Sequence, residues 1–178
     1  MQLEALALDA FENVVHTPIS WSTTDQDVAN VDETGYVVGN RADLAYVTAS
    51  ADGVTSAPVP IVVECVPARC TREFQMSFTQ MPSSTPAGDD FSPPVRVSLS
   101  RPFGPGTWSG SVWLVLERNP HRATLTGDGV AVNQIDNMPL WGDVQVDRPG
   151  AGYTLIAIVQ TTAGDVWATR SGPFEITQ

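Results

Sequence analysis

The sequence predicts an all-β chain folded as two tandem antiparallel sandwiches. Short runs rich in β-branched and aromatic residues recur along all 178 residues, separated by turn residues, at the roughly 8–12-residue spacing of sandwiches and barrels. No window keeps apolar residues at i, i+3, i+4 and i+7 through three turns, so amphipathic helices are not expected. Turn chemistry supplies the punctuation: Asp52-Gly53, Gly104-Pro105-Gly106, Gly127-Asp128-Gly129 and Ala163-Gly164-Asp165, where Gly and Asp tolerate the backbone angles that turns need.

In chain order, strands are expected over 3–8, 19–22, 36–38, 45–51 and 59–64, then 74–78, 95–99, 111–117, 144–146, 153–161, 166–169 and 174–177. Between the two groups lies Cys65-Val66-Pro67-Ala68-Arg69-Cys70-Thr71, which interrupts the strand pattern and carries a proline. The expected organisation is one sandwich over 1–64, a hinge over 65–71 and a second sandwich over 72–178. The two parts echo each other. Tyr46-Val47-Thr48-Ala49 leads through a turn to a strand that follows Pro58, and Tyr153-Thr154-Leu155-Ile156-Ala157 leads to one that follows Pro173. A proline fits there because an edge strand tolerates a missing amide.

Composition narrows the function. Twenty acidic residues face nine basic ones, for a net charge of −11, and all nine are Arg. Without Lys there is no Walker-type phosphate loop, no Schiff-base amine and no Lys–Asn isopeptide bond. The negative charge disfavours nucleic acid, which is bound chiefly through cations, and anionic membrane surfaces. No apolar run approaches the ~18 residues of a membrane span, and no Asn-X-Ser/Thr sequon occurs. Met1-Gln2-Leu3-Glu4 lacks the cationic start of a secretory signal. The chain is therefore expected either to be made without one or to be part of a longer protein.

Several residues carry a resemblance. Ile19-Ser20-Trp21-Ser22-Thr23-Thr24-Asp25, Val28-Ala29-Asn30-Val31-Asp32 and Thr34-Gly35-Tyr36-Val37 look like the bacterial Ig-like group 2 domain. That family pairs a Trp-Ser-Ser-x-Asp stretch with Val-Ala-x-Val-Asp and a strand-opening Gly. Leu8-Asp9-Ala10-Phe11-Glu12-Asn13-Val14-Val15 resembles the turn that precedes them, with Glu12 in place of the usual Gly. The match spans most of 3–63 and implies an Ig-like sandwich lacking its N-terminal strand. Residues 73–177 resemble, more loosely, the Ig-like repeats of large bacterial surface proteins, through Gly152-Tyr153-Thr154-Leu155 and Ser171-Gly172-Pro173-Phe174-Glu175-Ile176. In the first part, Trp21 between Ile19 and Thr23 is expected in the core with Val28, Val31 and Val37. Tyr153 is the expected core residue of the second. A core made from about 60 residues is marginal, so an upstream segment or another chain is expected to cover the open edge.

Candidate chemistry is sparse. Cys65 and Cys70, the two cysteines, enclose four residues. They read as a hinge disulfide or as reduced thiols, and their spacing with His16 and His121 does not suit zinc. Asp25/Asp27, Asp32/Glu33, Asp89/Asp90 and Asp143/Asp147 read as solvated acidic turns; calcium at one of them is the alternative, although no Asp-x-Asp-x-Asp-Gly run occurs. His16 and His121 sit in turn-like contexts, and no Gly-x-Ser-x-Gly is present. No catalytic residue, cofactor or metal is assigned. Over 111–117, Val112, Leu114 and Leu116 share one face while Trp113 and Val115 share the other, so something is expected to cover an outer apolar face. Trp113, Val115 and Trp167 form the candidate interaction surface, for protein or for stacked sugar; packing under loops or against the first part is the alternative.

Taken with the resemblance, the expected role is a non-catalytic spacer or adhesion module of an exported bacterial surface protein. Its partners would be other chains, neighbouring Ig-like repeats or glycans, with self-assembly through the open edge. A phage tail or capsid decoration protein, found in the virion, is the alternative. A carbohydrate-binding module using exposed tryptophans is a further one.

Overall fold

The computed structural model describes residues 1–65, 75–100, 109–127, 129–133 and 140–178. The described chain is all-β, with no helix among these residues. It forms two compact units, Met1–Val63 and Glu64–Gln178. Residues 66–71 of the expected hinge, including Cys70, lie outside the described residues, as do Trp108 and the 104–106 turn.

The first unit contains β1 (Ala7–Leu8), β2 (Val14–Val15), β3 (Ser20–Thr23), β4 (Ala29–Val31), β5 (Val37–Gly39), β6 (Asp43–Ala51), β7 (Val54–Thr55) and β8 (Val59–Val63). β6 is the spine. Its C-terminal half pairs with β3, while β8 and then β7 pair along it, all antiparallel. Alternation along β6 buries Ala45, Val47 and Ala49. Val28, Ala29, Val37 and Ile61 complete this small core, and Trp21, Leu3, Val31 and Val63 pack half-buried against it. The β6–β7 connection turns through Asp52 at φ 49° and Gly53 at φ 80°, the paired left-handed residues of a type I′ hairpin.

Residues 3–8 do not make the single strand expected. Residues 1–3 instead align with 35–37: the Leu3 amide donates to the Gly35 carbonyl (3.0 Å), and the Val37 amide to the Met1 carbonyl (2.7 Å). β1 turns back onto β2 through a turn in which Asp9 Oδ1 accepts the amides of Phe11 (2.8 Å) and Asn13 (3.0 Å). Glu12 there takes φ 65°, a conformation that costs a side-chain-bearing residue about 1–2 kcal/mol. Position 12 is where the resembling family carries Gly.

A second turn sets the Trp21 site. Asp32 Oδ1 accepts the Thr34 amide (2.8 Å), the Thr34 hydroxyl (2.6 Å) and the Tyr36 amide (3.0 Å). The turn holds Gly35 at φ 81°, where an added Cβ would lie 2.7 Å from Cζ2 of Trp21. The indole thus rests on bare backbone, and only glycine satisfies both the angle and the space.

The second unit contains β9 (Gln75–Gln80), β10 (Thr85–Pro86), β11 (Val95–Ser100), β12 (Ser109–Arg118), β13 (Leu125–Thr126), β14 (Gly129–Asn133), β15 (Leu140–Trp141), β16 (Gln145–Val146), β17 (Gly150–Thr161), β18 (Val166–Arg170) and β19 (Phe174–Thr177). One sheet runs β10-β19-β17-β12-β14, with β18 also on β17; a second runs β15-β11-β9; β13 and β16 pair separately. β18 and β19 follow the same edge of β17 in succession, interrupted at Ser171-Gly172-Pro173. β10 joins β19 in parallel. Between the layers lie Val95, Val97 and Leu99 of β11, Val112, Leu114 and Leu116 of β12, and Tyr153, Leu155, Ala157 and Val159 of β17. Tyr153 is fully buried, and its hydroxyl donates to the Arg148 carbonyl at 3.0 Å. A tyrosine opening a central strand and bonding to backbone just upstream is the tyrosine-corner arrangement of Ig-like sandwiches. Burial pushes its phenol above the usual 10.0, with Asp147 adding to the shift and Arg148 opposing it, so it remains a donor.

Two outcomes test the first unit. Gly35→Ala is expected to destabilise it by at least the 1–2 kcal/mol of a left-handed alanine, roughly 4–8 °C in Tm per kcal/mol for a unit of this size. Faster amide exchange over 20–23, with 155–159 unchanged, is the check. The exposed Asp32 carboxyl lies below its ordinary 3.8, chiefly through the Thr34 side chain and then the Tyr36 amide, with slight desolvation opposing and the Thr34 amide adding least. Because the folded value is depressed, the turn's contribution is present above the unfolded value and is lost as pH falls through the folded one. An NMR titration of Asp32 Cγ should show a midpoint below 3.8, accompanied by shifts of the Thr34 and Tyr36 amides that Asp32→Asn abolishes.

Candidate functional site

The structure separates the residues expected to form one surface. Trp113 and Val115 share a face of β12, opposite Ile158 and Ile156 of β17. Trp167 stands across from Val159 and so on the other face, where it packs half-buried against the core. Val115 is only 8% exposed and cannot offer a contact surface; Ile156 and Ile158 beside it are fully buried. The physical reason is the sheet's centre. With β17 flanked on both edges, its outer apolar residues are hidden by their neighbours. One of these covers is ionic: Arg170 Nε donates to Glu117 Oε1, from strands on either side of β17. Such an ion pair, half open to solvent, contributes little by itself, about 0–1 kcal/mol, but the side-chain stems shield apolar surface. Of the four described tryptophans, Trp141 is fully buried, while Trp21, Trp113 and Trp167 are half-buried.

Asp9, Asp25, Asp32 and Asp147 act on the main chain. Asp9 and Asp32 hold turn amides as above, and the Asn13 side chain is the chief cause lowering the Asp9 carboxyl. Asp25 Oδ1 accepts the amides of Asp27 (2.9 Å) and Val28 (3.3 Å), and Arg41 bridges Asp25 and Asp43. In the second unit Asp147 Oδ1 accepts the Thr124 amide (2.6 Å), and Asp90 accepts the Gln145 side chain (2.7 Å). Among the described residues no group of three His, Cys, Asp or Glu gathers as a metal would require. His121 lies against Gly150 and tilts onto Tyr153, ring centroids 5.7 Å apart. His16 is exposed.

The open apolar surface is elsewhere. The exposed large apolar side chains among the described residues belong to the first unit, and five of them, Leu6, Leu8, Phe11, Val14 and Val15, are on or beside the β1–β2 hairpin. Phe11, at 84% exposure, is at its tip. Beside the hairpin runs a groove of about 910 Å³ between residues 2–6 and the edge of β3, with Trp21 and Ile19 along it. The turn over 8–15 is legible in the sequence through its resemblance to the family's turn, but the hairpin's strands are not: Val14-Val15 is too short to show alternation, and 3–8 reads as a single strand. Sequence reasoning also missed Trp141. That fully buried ring stands in a two-residue strand opposite Val95, where Leu140 was the sole apolar neighbour to signal it.

No family model matches the chain, and no curated protein matches it in sequence. Solved structures do. The chain is similar to domains 4 and 5 of the S-layer protein SbsC, at 15% identity over 99% of this chain and 82% of that one, with a TM-score of 0.36. It is similar to the Yersinia pseudotuberculosis adhesin InvE at 13% identity, over 94% of this chain and 51% of that one (TM-score 0.33). The fibronectin(III)-like modules of Clostridium thermocellum CbhA match at 14% identity, over 92% and 80% (TM-score 0.33).

Proposed function

We propose that the chain is a non-catalytic structural and interaction module of an exported bacterial surface protein, acting as spacer and contact unit. The observation that carries this is the apolar β1–β2 hairpin. Its turn is held by Asp9 through main-chain bonds, yet it presents Leu8, Phe11 and Val14 to solvent. A contiguous exposed apolar feature on a tightly built turn is the mark of a contact surface. The resemblance of residues 3–63 to bacterial Ig-like group 2 domains supports the surface location. The acidic balance of −11 keeps such a surface soluble and disfavours self-association.

Immunolabelling with antibodies against the chain locates it: labelling of intact source cells that external protease removes is the expected result. Signal only after lysis, or only in purified virions, overturns the proposal. In the same assay format, purified chain carrying Leu8→Ser and Phe11→Ser should be retained on the cell surface about tenfold less than the parent, the loss of roughly 1.4 kcal/mol of contact.

The hinge disulfide belongs to this proposal. Cys65 and Cys70 are the chain's two cysteines, and no free cysteine is found among the described residues. A short loop places the bridge at the low end of the ~2–4 kcal/mol typical of disulfides, so its main role would be to stiffen the hinge. Alkylation under native conditions should add no mass without reductant and two adducts with it; two adducts in both cases would remove the bridge.

A further inference from the structure

We infer that the groove beside β3 takes an extended, cationic, apolar-alternating peptide strand, which adds to the free edge of β3. This rests on the reading of the chain as an interaction module and names the chemistry of one partner.

β3 ends the sheet. It pairs with β6 on one side, and among the described residues no strand pairs with the other. The register shows which groups are available. The Thr24 amide donates to the Tyr46 carbonyl (2.9 Å), continuing the Thr23↔Val47 ladder. In an antiparallel pair bonded positions alternate, so Ser22 and Ser20 face β6, and the amides and carbonyls of Thr23, Trp21 and Ile19 face outward. That outward edge opens on the 910 Å³ groove, lined by Leu3, Leu6, Ile19 and Trp21, with Glu4 and Glu33 also on it and no cationic side chain. Trp21 and Ile19 are half-buried and Leu6 is open to solvent, so apolar surface remains for an incoming side chain.

These features select the occupant. Outward main-chain groups call for an extended backbone, whose hydrogen bonds give affinity while alternate side chains enter the groove. About five residues at ~3.4 Å each match the outward edge from Ile19 to Thr23. The two carboxylates on a lining that holds no cationic side chain call for Lys or Arg among those residues. A second copy of this chain is disfavoured, because two bodies each carrying −11 repel. A cationic strand from another chain meets all three demands.

The test uses the full chain and a capped nine-residue peptide alternating Lys and Val, followed by NMR at low ionic strength. Saturable shifts confined to 2–6, 19–23 and 33–35 are expected. N-methylation of the peptide's pairing amides should weaken binding at least tenfold, replacing its Lys by Glu should abolish it, and Glu4→Arg with Glu33→Arg should weaken the Lys peptide about tenfold. Glu175→Arg, exposed on the second unit, is the control and should match wild type to within the loss expected from net charge alone. Absence of saturable shifts, equal binding of the N-methylated peptide, or indifference to the Glu4/Glu33 reversal would each overturn the inference. Concentration-dependent shifts at the same residues without peptide would assign the groove to a second copy and overturn it too. A peptide failure leaves the cell-surface labelling result untouched, and a labelling failure leaves the titration untouched, so the two proposals fall separately.

Discussion

The second unit is organised by the need to bury β17 on both faces. Tyr153, Leu155, Ala157 and Val159 point into the space between the sheets, while Ile156 and Ile158 point the other way, and all six are fully buried. A strand of this kind cannot lie at an edge. It demands a neighbour on each side, β12 on one and the interrupted β18–β19 run on the other. The placement of β14, β10 and the facing β11 layer then follows from those pairings. Tyr153 anchors the entry of the strand through the Arg148 carbonyl, and the Glu117–Arg170 pair passes over its outer side. Burial on this scale, at about 1.5–3 kcal/mol per large side chain, leaves the second unit with a core that its own sheets supply.

The first unit is built under the opposite condition. Its buried apolar residues are few and small, Val28, Ala29, Val37, Ala45, Val47 and Ile61, and the large ring available to it, Trp21, packs only partly against them. That ring depends on backbone geometry more than on side-chain packing, because it rests on Gly35, which the Asp32 turn holds in place. Carboxylates therefore do structural work that apolar contacts do in the second unit. The same scarcity of core leaves Leu6, Leu8, Phe11, Val14 and Val15 outside it. A thin core and an exposed apolar hairpin are two consequences of one distribution of residues.

The sites follow this division. Acids that looked like candidate cation ligands, Asp25, Asp32 and Asp147, accept main-chain amides, since short carboxylate side chains satisfy turn donors that a loop-rich β protein would otherwise leave unpaired. Apolar residues that looked like a contact surface in the second unit, Val115 above all, are interior. The open groove instead combines Trp21 with carboxylates at Glu4 and Glu33.

Local patterning determined a great deal. The twofold alternation at 45–51 and 153–161, the Asp52-Gly53 hairpin and the missing helical period depend on neighbours within a few residues, and they are legible in the chain itself. The positions of Val28 and Val37 in the first core could likewise be read from short motifs. Tertiary structure decided what needs partners distant in sequence. Whether Val115 is interior depends on strands forty and more residues away, and Trp113 and Trp167 fall on opposite faces because of their register with β17. Trp141 is interior because its two-residue strand meets β11, and Phe11 is exposed because nothing in the first core reaches it. A face is set by alternation, which the sequence carries; what covers that face is set by packing, which it does not.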